Sequence, residues 1–392
     1  MDKIRLGIIG TGSVVREIYQ HLYFTSSYSH LIEVCAACDV DIENLEWFAG
    51  KYGITSKYAN YREMITAEDL DAVAVNTPDH LHMEPVLHAF EQGLDVLVPK
   101  PTAHTVVDAH AMIQGMRTSG RFLGVDFHKR EDPAVKTARA GCRSGKYGKL
   151  QVSTWHMLDR LLVADTNYTP RFFASADFAE QNSPLTFLTS HMADTFITIT
   201  GERPWFIRAT GYRHKLPSLK PVAVNGYDLI DTEIRTYEGS TAHIVSGWAL
   251  PNTAHCLTVQ SGRMIFSEGM IDLWNEWYGF REITAQGNEV PNIQFMNFEE
   301  SGAVTGYGMD SPGKLIEYMA RIKSGEVSSA DSATVASPEV LGLFTALVCA
   351  CAGESLTNAE ESAPGVFQGC DISARDFLSS QIGDEEAKAY FS

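Results

Sequence analysis

The sequence predicts two domains: a parallel α/β domain followed by an α+β domain with an antiparallel sheet. Three observations carry this. The chain has 392 residues, more than one hydrophobic core usually holds, since domains run to about 100–200 residues each. Up to about residue 125, short apolar runs alternate with segments of helical spacing, the pattern of a parallel sheet covered on both faces. From residue 127 onward, longer runs rich in β-branched and aromatic residues are separated by turn signals, which favours antiparallel pairing.

The elements follow in order. Ile4 to Ile9 reads as the first strand, Val15, Ile18, Tyr19 and Leu22 recur at helical spacing, and Leu31 to Cys38 returns as a second apolar run; this is a βαβ unit. Further strands are expected at Ala72 to Asn76, Asp95 to Val98 and Arg121 to Val125, with helices over Glu84 to Gln92 and Val106 to Thr118. In the second half, Asp231 to Leu250 reads as a hairpin turning at Glu238-Gly239-Ser240. A helix is expected over Pro312 to Lys323, with Ser311 as its cap, Pro312 in its first turn, and Leu315, Tyr318, Met319 and Ile322 on one apolar face. The boundary between domains is expected at 126/127.

Composition narrows the function. Hydrophobic residues make up 44% and charged residues 20% of the chain, as in ordinary globular proteins. The formal net charge of -18 repels a phosphate backbone, and no Lys/Arg run forms a basic stripe, so no nucleic-acid partner is expected. The longest apolar patches, such as Phe344 to Ala352, have the size of core helices, and the apolar start at Ile4 to Ile9 is too short for a signal segment. The expectation is a cytoplasmic protein with no membrane span. Seven scattered cysteines form no disulfide framework. Cys35 and Cys38, three apart on a strand, point to opposite faces, and His80 and His82 lack companion ligands at short spacing, so no metal is assigned.

Gly10-Thr11-Gly12 lies between the first strand and its helix. Glycine there lets the backbone turn tightly and approach a pyrophosphate, which the amides opening the helix at Ser13 and Val14 can hold. Val15 stands where a third glycine is usual, so a plain strand-to-helix turn is the competing reading. Asp39, at the end of the second strand and 27 positions after Gly12, can accept hydrogen bonds from both adenosine ribose hydroxyls. The polar segment Thr25 to His30 absorbs the extra length, and no arginine follows in Val40 to Asn44. NAD is therefore expected over NADP.

Val98-Pro99-Lys100-Pro101 and Asn76-Thr77-Pro78-Asp79-His80-Leu81-His82, continued by Gly306-Tyr307-Gly308 and the helix after it, resemble the Gfo/Idh/MocA oxidoreductases. The resemblance implies an NAD-binding Rossmann domain over residues 1–126. It implies a substrate-binding and oligomerisation domain over 127–392, an α+β fold with a large, open, mostly antiparallel sheet. Members oxidise or reduce sugars, cyclitols and related compounds, and commonly form homodimers or homotetramers through the exposed sheet face. Asn76, Thr77, Pro78 and His82 would then face the cofactor. Lys100 matches the lysine that hydrogen-bonds the reacting hydroxyl, although the glutamate before it is Pro99 here. An ammonium at a developing alkoxide stabilises that charge.

The family's helix-borne Asp-x-x-x-His-x-x-Asp pattern falls on Phe187, His191 and Asp194. On the resemblance His191 is the general base and Asp194 orients it or binds substrate; taken alone, a histidine in Thr-Ser-His-Met is more often a satisfied structural residue. Phe187 cannot replace the missing acid, and Asp159, Asp165 and Asp177 are candidate substitutes, each also readable as a solvated loop acid. Asp126-Phe127-His128-Lys129-Arg130 stands where the family often has Asn-x-Arg, which makes Asp126 and His128 candidate substrate contacts. Trp155, Tyr168 and Arg171 are candidates to line a sugar site, since aromatic faces stack on C–H-rich rings and arginine donates to hydroxyls, with core packing as the alternative. The expected reaction is hydride transfer at a secondary alcohol carbon. Redox-assisted glycoside cleavage through a transient keto intermediate and a non-catalytic dinucleotide sensor are the alternatives.

Overall fold

The computed structural model describes residues 3–172, 178–274, 280–284, 287–328 and 342–392; the candidate acid Asp177 lies outside them. The chain divides into two compact units, Met1–Asp132 with Gln294–Leu343, and Pro133–Ile293 with Phe344–Ser392.

The first unit is built on six parallel strands, β1 (Ile4–Ile9), β2 (Ile32–Cys38), β3 (Ser56–Tyr58), β4 (Ala72–Val75), β5 (Asp95–Pro99) and β6 (Leu123–Asp126). Their spatial order is β3-β2-β1-β4-β5-β6, the doubly wound arrangement in which the strand order reverses at β1 and ligands gather at the strands' carboxyl ends. Leu6, Ile8, Ala74 and Leu97 are fully enclosed, as expected of strands covered on both faces. Helices Met83–Glu91 and Val106–Ser119 lie where the spacing predicts them. The stretch between Cys38 and Ala72, unassigned from the sequence, forms helix Ile42–Tyr52, β3 and helix Tyr61–Ala67. Asp41 starts the first of these by accepting from Glu43 N at 2.9 Å, and Gly53, at φ 70°, ends it.

Two expectations are corrected here. The boundary at 126/127 does not hold, because residues 294–343 return to the first unit. Met309, Ile316, Met319 and Ala320 bury themselves in the same core as Leu6, Leu22 and Phe48. The helix carrying them runs Tyr307–Lys323, with Gly306 at φ 110° as its cap and Pro312 inside it. Ser311 is therefore not the cap; its hydroxyl donates to Asp126 Oδ1 at 2.6 Å. Periodicity finds a helix's apolar face but not the distant core that receives it.

The second unit carries a nine-stranded sheet with the path β12-β11-β7-β10-β9-β8, where β7 is Leu150–Arg160, β8 Pro204–Tyr212, β9 Leu229–Thr236, β10 Thr241–Leu250, β11 Thr258–Phe266 and β12 Met270–Leu273. Segments Val366–Gln368 and Glu360–Ala363 extend it past β8, and Ile372–Ser373 also pairs with β8. The neighbours run antiparallel except β7 and β10, which are parallel. The β9–β10 hairpin turns where expected, at Gly239 with φ 98°. Along β9 and β10, Ile230, Ile234, Ala242 and Ile244 are buried, while alternate residues face the other way and stay half-exposed. All seven cysteines are free thiols. Among the described residues no helix is long and apolar enough to cross a membrane.

Trp155 belongs to this core. It is 0% exposed, its Nε1 donates to Ser153 Oγ at 3.0 Å, and its ring packs edge-on to Phe196. Gly262 on the neighbouring strand has no room for a side chain, since a Cβ there would lie 2.5 Å from the indole. The sugar-lining role expected of Trp155 is withdrawn, because a fully enclosed ring offers no face to a ligand. Trp155→Ala should destabilise the protein by about 3–5 kcal/mol, measured by denaturant unfolding; a stability change under 1 kcal/mol would contradict this placement.

Candidate active site

The carboxyl edge of the first unit's sheet gathers most of the expected cofactor residues. Gly10 sits at φ 85°, donates its N–H to Cys38 O at 2.8 Å, and a Cβ there would come within 2.8 Å of the Asn76 carbonyl oxygen. Only glycine fits. At Gly12 the opposite holds, for a Cβ would meet nothing within 4 Å; that side of the turn is open, as a pyrophosphate requires. The helix begins at Ser13 and widens into a π turn over Val15–Tyr19. Val15, in place of the third glycine, is 0% exposed at the first residue of that turn.

Asp39 is half-buried at the end of β2. Its Oδ2 accepts from both the amide (2.7 Å) and the hydroxyl (2.9 Å) of Thr11, and its Oδ1 accepts from Asp41 N at 2.9 Å. A carboxylate offers about four acceptor positions; the two Thr11 bonds and the Asp41 bond fill three of them in the ligand-free chain. The residues present thus fit a dinucleotide, with Gly10 to Val14 at its phosphates and Asp39 at its adenosine ribose.

Beyond β4, Asn76 is buried, donating through Nδ2 to Tyr23 OH at 3.3 Å, while Thr77 is half-buried and Pro78 exposed. His82 is 1% exposed, with its ring nitrogens 2.9 Å from Thr77 O and 3.2 Å from Thr102 O. Burial holds its pKa below the ordinary value; the neutral ring has a single N–H, so it donates to one of these two carbonyls and packs against the other. Lys100 is half-buried directly after β5. β5 and β6 run side by side, pairing Pro99 with Asp126, which brings the turn His128–Glu131 to the same edge.

Asp126 is not placed to meet substrate. It is 3% exposed and accepts from Tyr19 OH at 2.8 Å and Ser311 Oγ at 2.6 Å; burial raises its pKa to about 6. It ties down the helix behind the glycine turn. His128 is half-buried, its ring 5.0 Å from Phe295 and stacked 6.1 Å from Tyr307. Burial, with the charges of Lys129 and Lys100, pushes its pKa well down, so it faces this edge uncharged. Lys129 escaped the sequence reading: it is 3% exposed, and burial lowers its pKa to about 8, with Asp132 opposing and Lys100 adding to the shift. The signal was the departure of 126–130 from the family pattern.

In the second unit, Phe187 lies in a π turn, Leu185–Thr189, that runs directly into helix Ser190–Thr200. Its ring packs against Phe178 at 5.3 Å and Trp248 at 5.6 Å, an apolar setting in place of an acid. His191 is half-buried and Asp194 is 1% exposed, with Thr345 Oγ1 3.5 Å from Asp194 Oδ1. Neither described substitute acid is a loose loop residue: Asp159 is buried and accepts from Thr258 Oγ1 at 2.6 Å, and Asp165 accepts from Asn167 N at 2.9 Å. Tyr168 and Arg171 are exposed; Arg171 lines a small cavity with Asp165, Phe172 and Phe178. Among the described residues no group of three His, Cys, Asp or Glu side chains could hold a metal ion.

The Asp126 carboxyl gives a test of this geometry. Its folded pKa, about 6, lies above the ordinary aspartate value of 3.8, so the folded state binds the proton more tightly. Stability should therefore fall as pH rises from about 4 to about 6, by on the order of 3 kcal/mol. Asp126→Asn should remove that slope in unfolding experiments across this range; an unchanged slope would place the titrating group elsewhere.

Residues 4–127 match the family described as an oxidoreductase family with an NAD-binding Rossmann fold, Gfo/Idh/MocA. The D-glucoside 3-dehydrogenase of Escherichia coli K12 is 27% identical over 230 residues, 59% of this chain and 59% of that protein. The 1,5-anhydro-D-fructose reductase of Ensifer adhaerens is 31% identical over 146 residues, 37% of this chain and 42% of that protein. The chain thus matches less than two thirds of the length of either relative. The crystal structure of myo-inositol 2-dehydrogenase from Lactobacillus plantarum superposes with a TM-score of 0.71 at 18% identity, covering 94% of this chain and 100% of that one. Scyllo-inositol dehydrogenase from Lactobacillus casei, solved with NAD(H) and scyllo-inositol, gives the same TM-score at 16% identity, covering 94% and 99%. The fold is shared along nearly the whole chain, and the glycine turn, its aspartate and the lysine after β5 fall within the N-terminal span that matches the Gfo/Idh/MocA family model.

Proposed function

We propose that the protein is an NAD-dependent dehydrogenase or reductase that moves a hydride to or from a secondary alcohol carbon of a sugar, glycoside or cyclitol. The observation that carries this is Lys100, half-buried at the carboxyl edge of the same parallel sheet whose glycine turn has one closed and one open side. The names of the sequence relatives, a glucoside dehydrogenase and an anhydrofructose reductase, support the substrate class.

NAD, when bound, accepts or supplies the hydride. The chain's residues do the rest. Gly10, Thr11 and Gly12 let the backbone approach the phosphates, and Asp39 takes a ribose hydroxyl while repelling the 2′-phosphate of NADP. Lys100 hydrogen-bonds the reacting hydroxyl and stabilises the alkoxide that develops as the C–H bond breaks. His191 takes the hydroxyl proton during oxidation and returns it during reduction, with Asp194, three positions on along the helix, orienting the ring. Phe187 supplies no proton and presents an apolar surface, which selects against a polar substituent at that point. By the same resemblance, the subunits associate as a homodimer or homotetramer.

The test is a screen of pyranoses, glycosides and cyclitols with NAD, read by absorbance of the reduced nicotinamide. Lys100→Met and His191→Ala should each lower kcat/KM on any substrate found by about 100-fold or more; equal turnover by both variants would reject the roles assigned to these groups. Asp39→Ala should weaken NAD binding about tenfold and narrow the preference over NADP; unchanged affinity for both dinucleotides would remove Asp39 from the site.

A further inference from the structure

The loop that carries Lys100 is tied to its neighbour twice. β4 and β5 are adjacent parallel strands, so segment 76–82 and segment 100–105 leave the sheet side by side. The inner tie is His82, buried and neutral, lying against Thr102 O. The outer tie runs in the opposite direction: His104 Nδ1 lies 3.2 Å from Asp79 Oδ2. Asp79 is itself fixed, since its Oδ1 accepts from His80 N at 2.9 Å. Its side chain is 17% exposed and that of His104 40%. The next residue, Thr105, caps helix Val106–Ser119 through Asp108 N at 3.0 Å. His104 is thus the last side chain that can hold the Lys100 loop before the chain commits to that helix.

We propose that the Asp79–His104 ion pair is a positioning device for Lys100, holding segment 100–105 against segment 76–82 more firmly while His104 is protonated than after it loses its proton. The inference rests on the reading of this edge as the dinucleotide site. The hydrogen bond to Asp79 raises the His104 pKa against the effect of burial, and the charges of Asp79 and Asp108 add to the rise. Burial pushes the Asp79 carboxyl up, but the bond and charge of His104, with the His80 amide, bring it below its ordinary value. His80 stands 3.8 Å from Asp79 Oδ1 and 6.4 Å, ring to ring, from His104, on the far side of the carboxylate. The folded state therefore favours the charged pair below the raised His104 transition, and the tie weakens to a neutral hydrogen bond as pH rises through it. A partly exposed pair of this kind changes an equilibrium by a modest factor, which suits a loop that must shift rather than unfold.

The test uses the full chain with and without NAD. In the ligand-free protein, hydrogen-exchange protection of the peptide spanning 100–105 should fall between pH 6 and pH 8.5. His104→Gln should show the low protection at both values, His104→Arg the high protection at both, and Asp79→Asn should reproduce His104→Gln. NAD titrated calorimetrically should bind about three- to tenfold more weakly to His104→Gln than to wild type at pH 6. The Arg variant should restore that affinity and lose the pH dependence. His104→Gln matching wild type in protection and affinity at both pH values would overturn the proposal, as would loss in His104→Gln without loss in Asp79→Asn. If wild-type protein binds no NAD at all, the dinucleotide reading falls, and the exchange pattern alone decides whether the pair holds the loop.

Discussion

A single buried carboxylate organises the nucleotide-binding unit. Asp126 ends β6, takes the hydroxyl of Tyr19 from the helix behind the glycine turn, and takes the hydroxyl of Ser311 from the helix Tyr307–Lys323. Three segments distant in sequence meet on two oxygen atoms. A buried charge is tolerated only when its lone pairs are filled, so the position of each donor is set by the others. The rise in its pKa shows that the two hydroxyls compensate burial only in part. Some folding free energy is thereby given to fixing the first helix relative to the last strand, and the glycine turn inherits that rigidity.

On the outer side of the same helix, Asp39 does comparable work with the backbone. By taking both donors of Thr11 it holds the turn in its open shape before any ligand arrives, which lowers the ordering a dinucleotide must impose. The Lys100 edge follows the same principle: His82 and His104 reach across in opposite directions. Lys129, lowered only to about 8, keeps most of its charge at neutral pH, while His128 stays uncharged, so this edge carries the two ammonium groups of Lys100 and Lys129 and no imidazolium at position 128.

How far this was legible in the sequence depended on distance along the chain. The βαβ pattern, the hairpin at Gly239 and the helix Val106–Ser119 are local, and periodicity with turn chemistry located them within a residue or two. Gly10 and Asp39 were readable because a tight turn and a strand end each demand a particular residue type. What escaped depends on tertiary packing. Trp155 was expected at a sugar and lies in the core, since a strand of alternating residues does not announce which face is covered. Ser311 looked like a helix cap because it precedes a proline, yet its hydroxyl serves a carboxylate 185 positions away. Lys129 reads as an ordinary surface lysine until the fold encloses it.

The return of residues 294–343 to the first unit makes the chain pass between its two units three times. During synthesis the first unit therefore emerges with its core unfinished: the apolar face that Ile316 and Met319 will cover stays open to water until more than three hundred residues have left the ribosome. The second unit is likewise discontinuous, formed by residues 133–293 and 344–392, so neither unit is complete until nearly the whole chain has been made. An N-terminal fragment ending near residue 132 should be sticky rather than autonomous. Neither unit can therefore be cut out or replaced as one continuous stretch of chain.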